Sequence, residues 1–385
     1  MNKPVVVQKF GGTSMGSIER IAKVAEHVIA AKEAGQDVVV VVSAMAGETN
    51  RLLGLAQQID AVPQARELDV LLAAGEQVAM ALLAMTLNTR GYRAQSLNGA
   101  QARILTNTQH NDATIRHIDC TPIRRLLAQD TIVIVAGFQG VTEHGDITTL
   151  GRGGSDTSAV VLAGALSAEE CQIYTDVDGV YTSDPRIVTG ARKLASIDFD
   201  SMEVMASFGA KVLHLPSVRY AAQHNIPLRV LSTFDTDGGS MVVHSQAAPV
   251  TGLALLKDAV QVELHDVSLE TVLIQCQSVG IEVVAHVENE SKLQLLIRQE
   301  AFAKLELVFD SKIHNSDWVS LLTLVGTQAS ELAEHAKSLL DSQHITPLLQ
   351  ASGASTVSFS VVPNALECAA NILHDTYVVM TPTFA

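Results

Sequence analysis

Aromatic side chains are scarce in this chain: one Trp, five Tyr and nine Phe make up 4% of 385 residues. A core with so few rings must be aliphatic, and a hydrophobic content of 47% supplies it. Positive charge is short too, with 26 Lys plus Arg against 41 Asp plus Glu and a formal charge of −15. That balance argues against a nucleic-acid binder, which needs a basic footprint to displace counterions from phosphates. Cysteine is limited to Cys120, Cys171, Cys276 and Cys368. Their scatter fits neither a zinc site nor a disulfide framework, and buried thiols in a reducing cytosol are expected. Apolar runs such as Val38 to Val42 fall far short of the roughly 20 residues that span a bilayer. The chain also enters its first strand without a basic segment followed by an apolar one, so no secretory leader is expected. These absences predict a soluble, cytoplasmic protein.

Several catalytic signatures are missing as well. The sequence has no P-loop, no protein-kinase His-Arg-Asp and Asp-Phe-Gly pair and no His-Glu-x-x-His, and Gly153-Gly154-Ser155-Asp156 does not fit a Gly-x-Ser-x-Gly elbow. What it does have is Lys9-Phe10-Gly11-Gly12-Thr13-Ser14, placed directly after the apolar run Val5-Val6-Val7. A strand that ends in Lys-x-Gly-Gly and opens into a helix offers unobstructed backbone N–H groups, a helix N-terminus and one mobile cation to a phosphate. Two further segments fit the same chemistry, Gly151-Arg152-Gly153-Gly154-Ser155-Asp156 and Tyr174-Thr175-Asp176-Val177-Asp178-Gly179-Val180-Tyr181.

Short apolar strands alternate with amphipathic helices over residues 1–234. Continuous Val runs predict strands buried on both faces, hence an α/β domain with an open, mainly parallel sheet sandwiched by helices. Residues 235–250 read as a turn-rich hairpin and linker. Beyond them a β-α-β-β order occurs twice, predicting two small α+β modules at 251–315 and 316–385. A single mixed domain is the alternative.

The joint pattern resembles the aspartate kinases of the amino-acid-kinase superfamily. The likeness rests on Lys9–Ser14, Ser43-Ala44-Met45, Gly47–Asn50, Ala74-Gly75-Glu76, Gly137–Gly140, Gly151–Ser158, Tyr174–Arg186, Phe208–Leu213 and Pro227–Phe234. It implies ATP-dependent phosphorylation of the side-chain carboxylate of L-aspartate to 4-phospho-L-aspartate, the entry step to lysine, threonine, methionine and diaminopimelate. It also implies that the tail is a pair of ACT-like (βαββαβ) domains that bind an amino-acid effector and build a homo-oligomer, a dimer or dimer of dimers. The last strand, at Thr376–Met380, is expected to return to the first module. The segments Leu264–Ser268 and Ser352–Thr356 depart from the family's usual effector motifs, so the resemblance does not specify lysine, threonine or any effector.

Phosphorylating a carboxylate brings an anion to an anionic phosphate, so catalysis is positioning and charge neutralisation. Lys9 is expected to bridge the ATP phosphates and the transferring group, with Phe10, Gly11 and Gly12 lining them through the backbone. An amino-acid zwitterion calls for an arginine at its α-carboxylate and a carboxylate at its amine, roles that the resemblance gives to Arg152 and Glu76. Ser43 and Thr49 are short hydroxyl donors near strand ends. Ser155 is expected to touch substrate, and its place after two glycines suits a helix N-cap. Asp156 is expected to orient Lys9 or the substrate. It need not act as a base, because an ionised aspartate has no proton to lose. Thr175, Asp176, Tyr181, Asp184, Arg186 and Lys211 form the expected nucleotide segment, and Mg²⁺ travels with ATP, held by phosphates and water.

The bland readings are a surface lysine for Lys9, a helix-surface carboxylate for Glu76 and a tight turn at Asp178-Gly179. Two other functions stand beside the main one: a glutamate or acetylglutamate kinase of the same superfamily, and a non-catalytic amino-acid sensor.

Overall fold

A computed structural model describes residues 3–210, 212–235, 237–289 and 292–378. The chain divides into two compact units, Met1–Val180 with Val212–His244, and Tyr181–Lys211 with Ser245–Ala385.

The first unit begins with β1 (Val5–Phe10), α1 (Ile18–Glu33) and β2 (Asp37–Val42). The two strands pair in parallel from Val5↔Asp37 to Phe10↔Val42. Ser17 starts the helix by accepting the Arg20 N–H, and Ile21, Val24, Ala25 and Val28 form its buried face. Val38 to Val42 are fully buried, as a β-branched run covered on both faces should be. Next come α2 (Glu48–Ile59), α3 (Ala65–Thr89), β3 (Ala94–Leu97), β4 (Ile104–Thr106), β5 (Ile115–Ile118) and α4 (Thr121–Leu127). The series continues with β6 (Ile132–Ala136), β7 (Gln139–Val141), β8 (Ile147–Thr149), α5 (Gly154–Leu166) and β9 (Glu170–Thr175). After β10 (Ser196–Asp198) and α6 (Phe199–Ser207), which belong to the second unit, the chain returns with α7 (Leu215–Gln223), β11 (Leu228–Ser232) and β12 (Ser240–Val243).

The main strands of this unit run in the order β12-β11-β9-β1-β2-β6-β3. All neighbours are parallel except the β11–β12 hairpin. A small sheet, β5-β4-β7-β8, accompanies it. The register places Phe10, Val42 and Ala136 in one row with Tyr174 beside Phe10. The carboxyl ends of four central strands therefore open on one edge, where open α/β sheets hold ligands. Helix α3 is long and apolar enough to cross a membrane by length and composition alone. It is a core helix here, burying Leu72, Ala73, Ala79, Met80, Leu83 and Leu87.

The second unit continues with β13 (Gly252–Leu264), α8 (Leu269–Ser278), β14 (Val283–Asn289), β15 (Lys292–Arg298) and α9 (Phe302–Phe309). The same order recurs in β16 (Ile313–Val325), α10 (Ala333–Ser342), β17 (Leu349–Ser352), β18 (Thr356–Val361) and α11 (Leu366–Tyr377). The strands form one antiparallel sheet, β14-β15-β13-β16-β18-β17, whose halves meet at the long β13–β16 pair. Each half has its own aliphatic core, one around Val262, Val272, Leu295 and Leu305, the other around Leu322, Leu340, Phe359 and Leu373.

Three boundaries differ from the expectation. Tyr181–Lys211 groups with the second unit rather than with residues 1–234, because Ile187 and Val188 are buried in its core and the Thr182 hydroxyl meets His374 Nε2 at 2.9 Å. Within 235–250, Ser240–Val243 is a strand, and the Ser240 hydroxyl accepts the Val180 N–H at 2.8 Å. Thr376 does not start a strand. It lies in α11, its hydroxyl donating to the Ile372 carbonyl at 2.8 Å, and the rest of the expected strand, from Val379, lies outside the described residues.

Candidate active site

Lys9 sits one residue from the end of β1 with its side chain almost wholly covered. Its Nζ lies 2.6 Å from Oδ1 of Asp156, in the first turn of α5. The geometry rules out the surface-lysine reading. Gly12 is needed for close approach, whereas Gly11 has room for a Cβ. A Cβ on Gly11 would lie 3.5 Å from the Lys9 ammonium, and one on Gly12 would lie 3.1 Å from the Ala44 carbonyl oxygen. The turn before α5 is made by Gly151 and Gly153, both at positive φ, and Gly153 is the N-cap. Ser155 is therefore not the cap expected from the sequence. The left-handed turn gives that place to glycine, and Ser155 is buried against the end of β6, where a Cβ on Gly137 would come within 2.9 Å of its hydroxyl. Arg152 is exposed at the crest of the same turn.

Glu76 is no surface carboxylate either. It is 3% exposed, within α3. The neighbouring Gly75 admits Ala44 so closely that a Cβ would lie 2.9 Å from the alanine methyl. That approach lets Glu76 Oε1 accept the Ala44 N–H at 3.0 Å, while Oε2 is buried with no partner. Burial pushes the carboxyl up to about 7, against the pull of the Ala44 hydrogen bond. Ser43 extends β2 by donating its N–H to the Phe10 carbonyl at 3.0 Å, and Thr49 is half-buried in the first turn of α2.

Of the expected nucleotide contacts, Phe10 can offer only its backbone. Its ring is fully buried and stacks on Tyr174 at 4.5 Å. Thr175 ends β9 on the same sheet edge and donates to Asp176 Oδ1 at 3.0 Å, with Asp176 itself exposed.

Residues 4–232 match the model of the amino acid kinase family. The aspartokinase of Pseudomonas aeruginosa is 47% identical over 334 residues, 85% of this chain and 80% of that protein. The chain belongs to the aspartate kinases. Solved structures of Escherichia coli aspartokinase III, one with aspartate and ADP and one with lysine and aspartate, both superpose with a TM-score of 0.79. They share 25% and 26% identity and cover 97% of this chain and 100% and 99% of theirs. This aspartate kinase is thus an enzyme, and the sensor reading is set aside.

The remaining nucleotide candidates of the kinase lie in its second unit. Arg186 makes a two-pronged pair with Asp184, Nε to Oδ1 at 2.9 Å and a terminal nitrogen to Oδ2 at 2.8 Å, which holds the Asp184 carboxyl below its ordinary range. Tyr181 forms an antiparallel bridge with Lys193. Lys211 lies outside the described residues.

Two polar residues of the kinase escaped sequence reasoning. Asp69, fully buried in α3, meets His110 Nδ1 at 2.6 Å, the Thr149 hydroxyl at 2.5 Å and the Asn111 N–H at 3.0 Å. It ties the helix carrying Glu76 to the strand that leads into the Arg152 turn. An acid among the apolar residues of the helix was its only sequence trace. His214, just ahead of α7, lies against Gly153, and nothing in its local sequence marked it.

Among the described residues, Glu263, His265 and His314 gather within 4.8 Å of one another and could be read as metal ligands. The Lys292 ammonium already stands 3.0 Å from Glu263, and the two imidazoles stack at 18°, so their in-plane lone pairs do not converge. The cluster reads as a neutralised polar patch.

Proposed function

We propose that the strand-end edge of the first unit holds aspartate and the phosphates of ATP together, with the roles divided between two groups of residues. As an aspartate kinase, the enzyme transfers the γ-phosphoryl group of ATP to the side-chain carboxylate of L-aspartate. The carboxylate oxygen bonds to phosphorus, the bond to the bridging oxygen breaks, and ADP leaves with its electron pair. No proton has to be removed. Lys9 and the N–H groups of Gly11 and Gly12 neutralise the phosphoryl oxygens, and Asp156 holds Lys9 in place. Glu76 takes the α-amine, Arg152 the α-carboxylate, and Ser43, Thr49 and Ser155 hydrogen-bond the substrate.

The observation that carries this reading is the buried, partnerless Oε2 of Glu76. A carboxylate desolvated so far is costly unless a cation meets it, and an amino-acid ammonium is such a cation. Mg²⁺ would arrive with ATP and be held largely by phosphates and water, and Oδ1 of Asp156, the acid beside Lys9, is engaged by that lysine. Thr175, Asp176, Tyr181, Asp184, Arg186 and Lys211 serve the nucleotide in this reading.

With saturating Mg-ATP and hydroxylamine as trap, aspartate should yield hydroxamate at least about tenfold more efficiently than glutamate or N-acetylglutamate. A preference for either competitor would overturn the substrate assignment.

The paired β-α-β-β-α repeats support two ACT-like domains, at 251–315 and 316–385, that bind an amino-acid effector and assemble a homo-oligomer. One structure of the Escherichia coli relative contains lysine. Lysine and threonine, titrated singly and together into the same assay, test the effector role, and a lowered rate with either supports it. Rates unchanged at millimolar concentrations of both would remove the effector role. The four free cysteines, three of them buried, suit a reducing cytoplasm.

A further inference from the structure

His214 precedes α7 in extended backbone, and its ring fills the space that a side chain on Gly153 would need. A Cβ built on that glycine would fall 2.2 Å from the ring's Cγ and 2.5 Å from its Nδ1. The imidazole is therefore wedged on the backbone of the turn that carries Arg152 on one side and Ser155 and Asp156 on the other. No side chain caps α5, whose N-cap is Gly153 itself. Nδ1 is buried without a hydrogen-bond partner. Burial favours the neutral ring. Asp156 of α5 works against this, and Arg152 of the turn and Lys9 of β1 reinforce it.

We propose that His214 is a positioning residue of this kinase, a wedge that fixes the Gly151–Gly154 turn so that Arg152 meets the substrate carboxylate and Asp156 meets Lys9. This rests on the roles given above to Arg152 and Asp156. A planar ring suits the place because it lies against a bare Cα. The neutral form matters because a third cation beside Lys9 and Arg152 would compete for Asp156.

The test uses the full chain at saturating Mg-ATP. His214→Ala should raise the KM for aspartate about tenfold or more while the KM for ATP stays within about twofold. His214→Phe keeps a flat ring without a titrating nitrogen. It should recover most of the loss at pH 8 and reduce the acid-side slope of log kcat/KM for aspartate from about two protons to about one, the remaining one belonging to Glu76. An aspartate KM unchanged in His214→Ala overturns the proposal, as does an equal rise for both substrates with a lowered Tm. Should the alanine variant fail to fold, a two-proton slope retained by His214→Phe overturns it. Arg152→Ala separates the two layers. If its aspartate KM does not move, the role of Arg152 falls and the proposal with it. If it rises while His214→Ala stays normal, only the wedge falls.

Discussion

Replacing Lys9 by alanine should slow turnover by about 10³-fold while ADP binding weakens only a few-fold. The asymmetry follows from where charge changes. ADP presents the same α- and β-phosphates before and after transfer, whereas the γ-phosphoryl oxygens need a cation most in the transition state. Lys9 is the cation at the end of β1, and its partner Asp156, 2.6 Å away, keeps it from wandering. Removing it also leaves Asp156 without its counter-charge, so the loss is not that of one contact. The double variant Lys9→Ala with Asp156→Ala should therefore be little worse than Lys9→Ala alone, the mark of two groups acting as a unit. Arginine should not substitute. The ammonium is almost wholly covered and fixed 2.6 Å from Asp156, and a guanidinium is wider. Single-turnover kinetics with ADP binding measured in parallel decide the matter. A Lys9→Ala enzyme turning over within tenfold of the parent would remove Lys9 from the chemistry.

The parallel sheet was legible because Val5–Val7 and Val38–Val42 are uninterrupted β-branched runs, a pattern that two covered faces require and a half-exposed strand does not. The meeting of Lys9 with Asp156 was legible because nearby glycines mark where backbone comes close, at Gly12, or turns left-handed, at Gly151 and Gly153. Contacts set by tertiary packing were not legible. Ser155 has the residue type of an N-cap, but the cap is decided by φ, and Gly153 at +70° takes it. Residues 181–211 follow the catalytic strands without a composition break, and only the burial of Ile187 and Val188 in the second unit's core shows where they belong. The strand expected from Thr376 carries β-branched residues, yet α11 absorbs its beginning because helical back-bonding to Ile372 satisfies the hydroxyl. Asp69 and His214 depend on partners far away in sequence, and a single chain shows no pairing.

Glu76→Gln should lower kcat/KM for aspartate by on the order of 100-fold or more, and at the same time make the folded protein more stable above pH 7. Both effects come from one buried oxygen. Burial raises the Glu76 carboxyl from 4.5 to about 7, so the native state binds a proton more tightly than the unfolded chain does. Stability contributed by this group is then greatest at low pH, declines as pH rises from about 4.5 to about 7, and is at its minimum above that. The cost of holding the ionised form amounts to about 3 kcal/mol. A neutral amide of the same shape avoids it, so the variant's advantage should appear above pH 7 and vanish below pH 4.5. Binding runs the other way. The substrate ammonium needs the carboxylate, so Glu76 alone should make kcat/KM for aspartate rise about tenfold per pH unit below 7 and level off above it, with the proton on His214 steepening the limb further to the acid side. At pH 6, aspartate binding should release close to one proton, visible by calorimetry in buffers of different ionisation enthalpy, and at pH 8.5 almost none. An aspartate KM that is flat from pH 5.5 to pH 8.5, with no proton release at either end, would mean that the ammonium does not meet Glu76. With the amine at Glu76, as proposed, the enzyme would carry its amine site as a standing instability that its own substrate relieves.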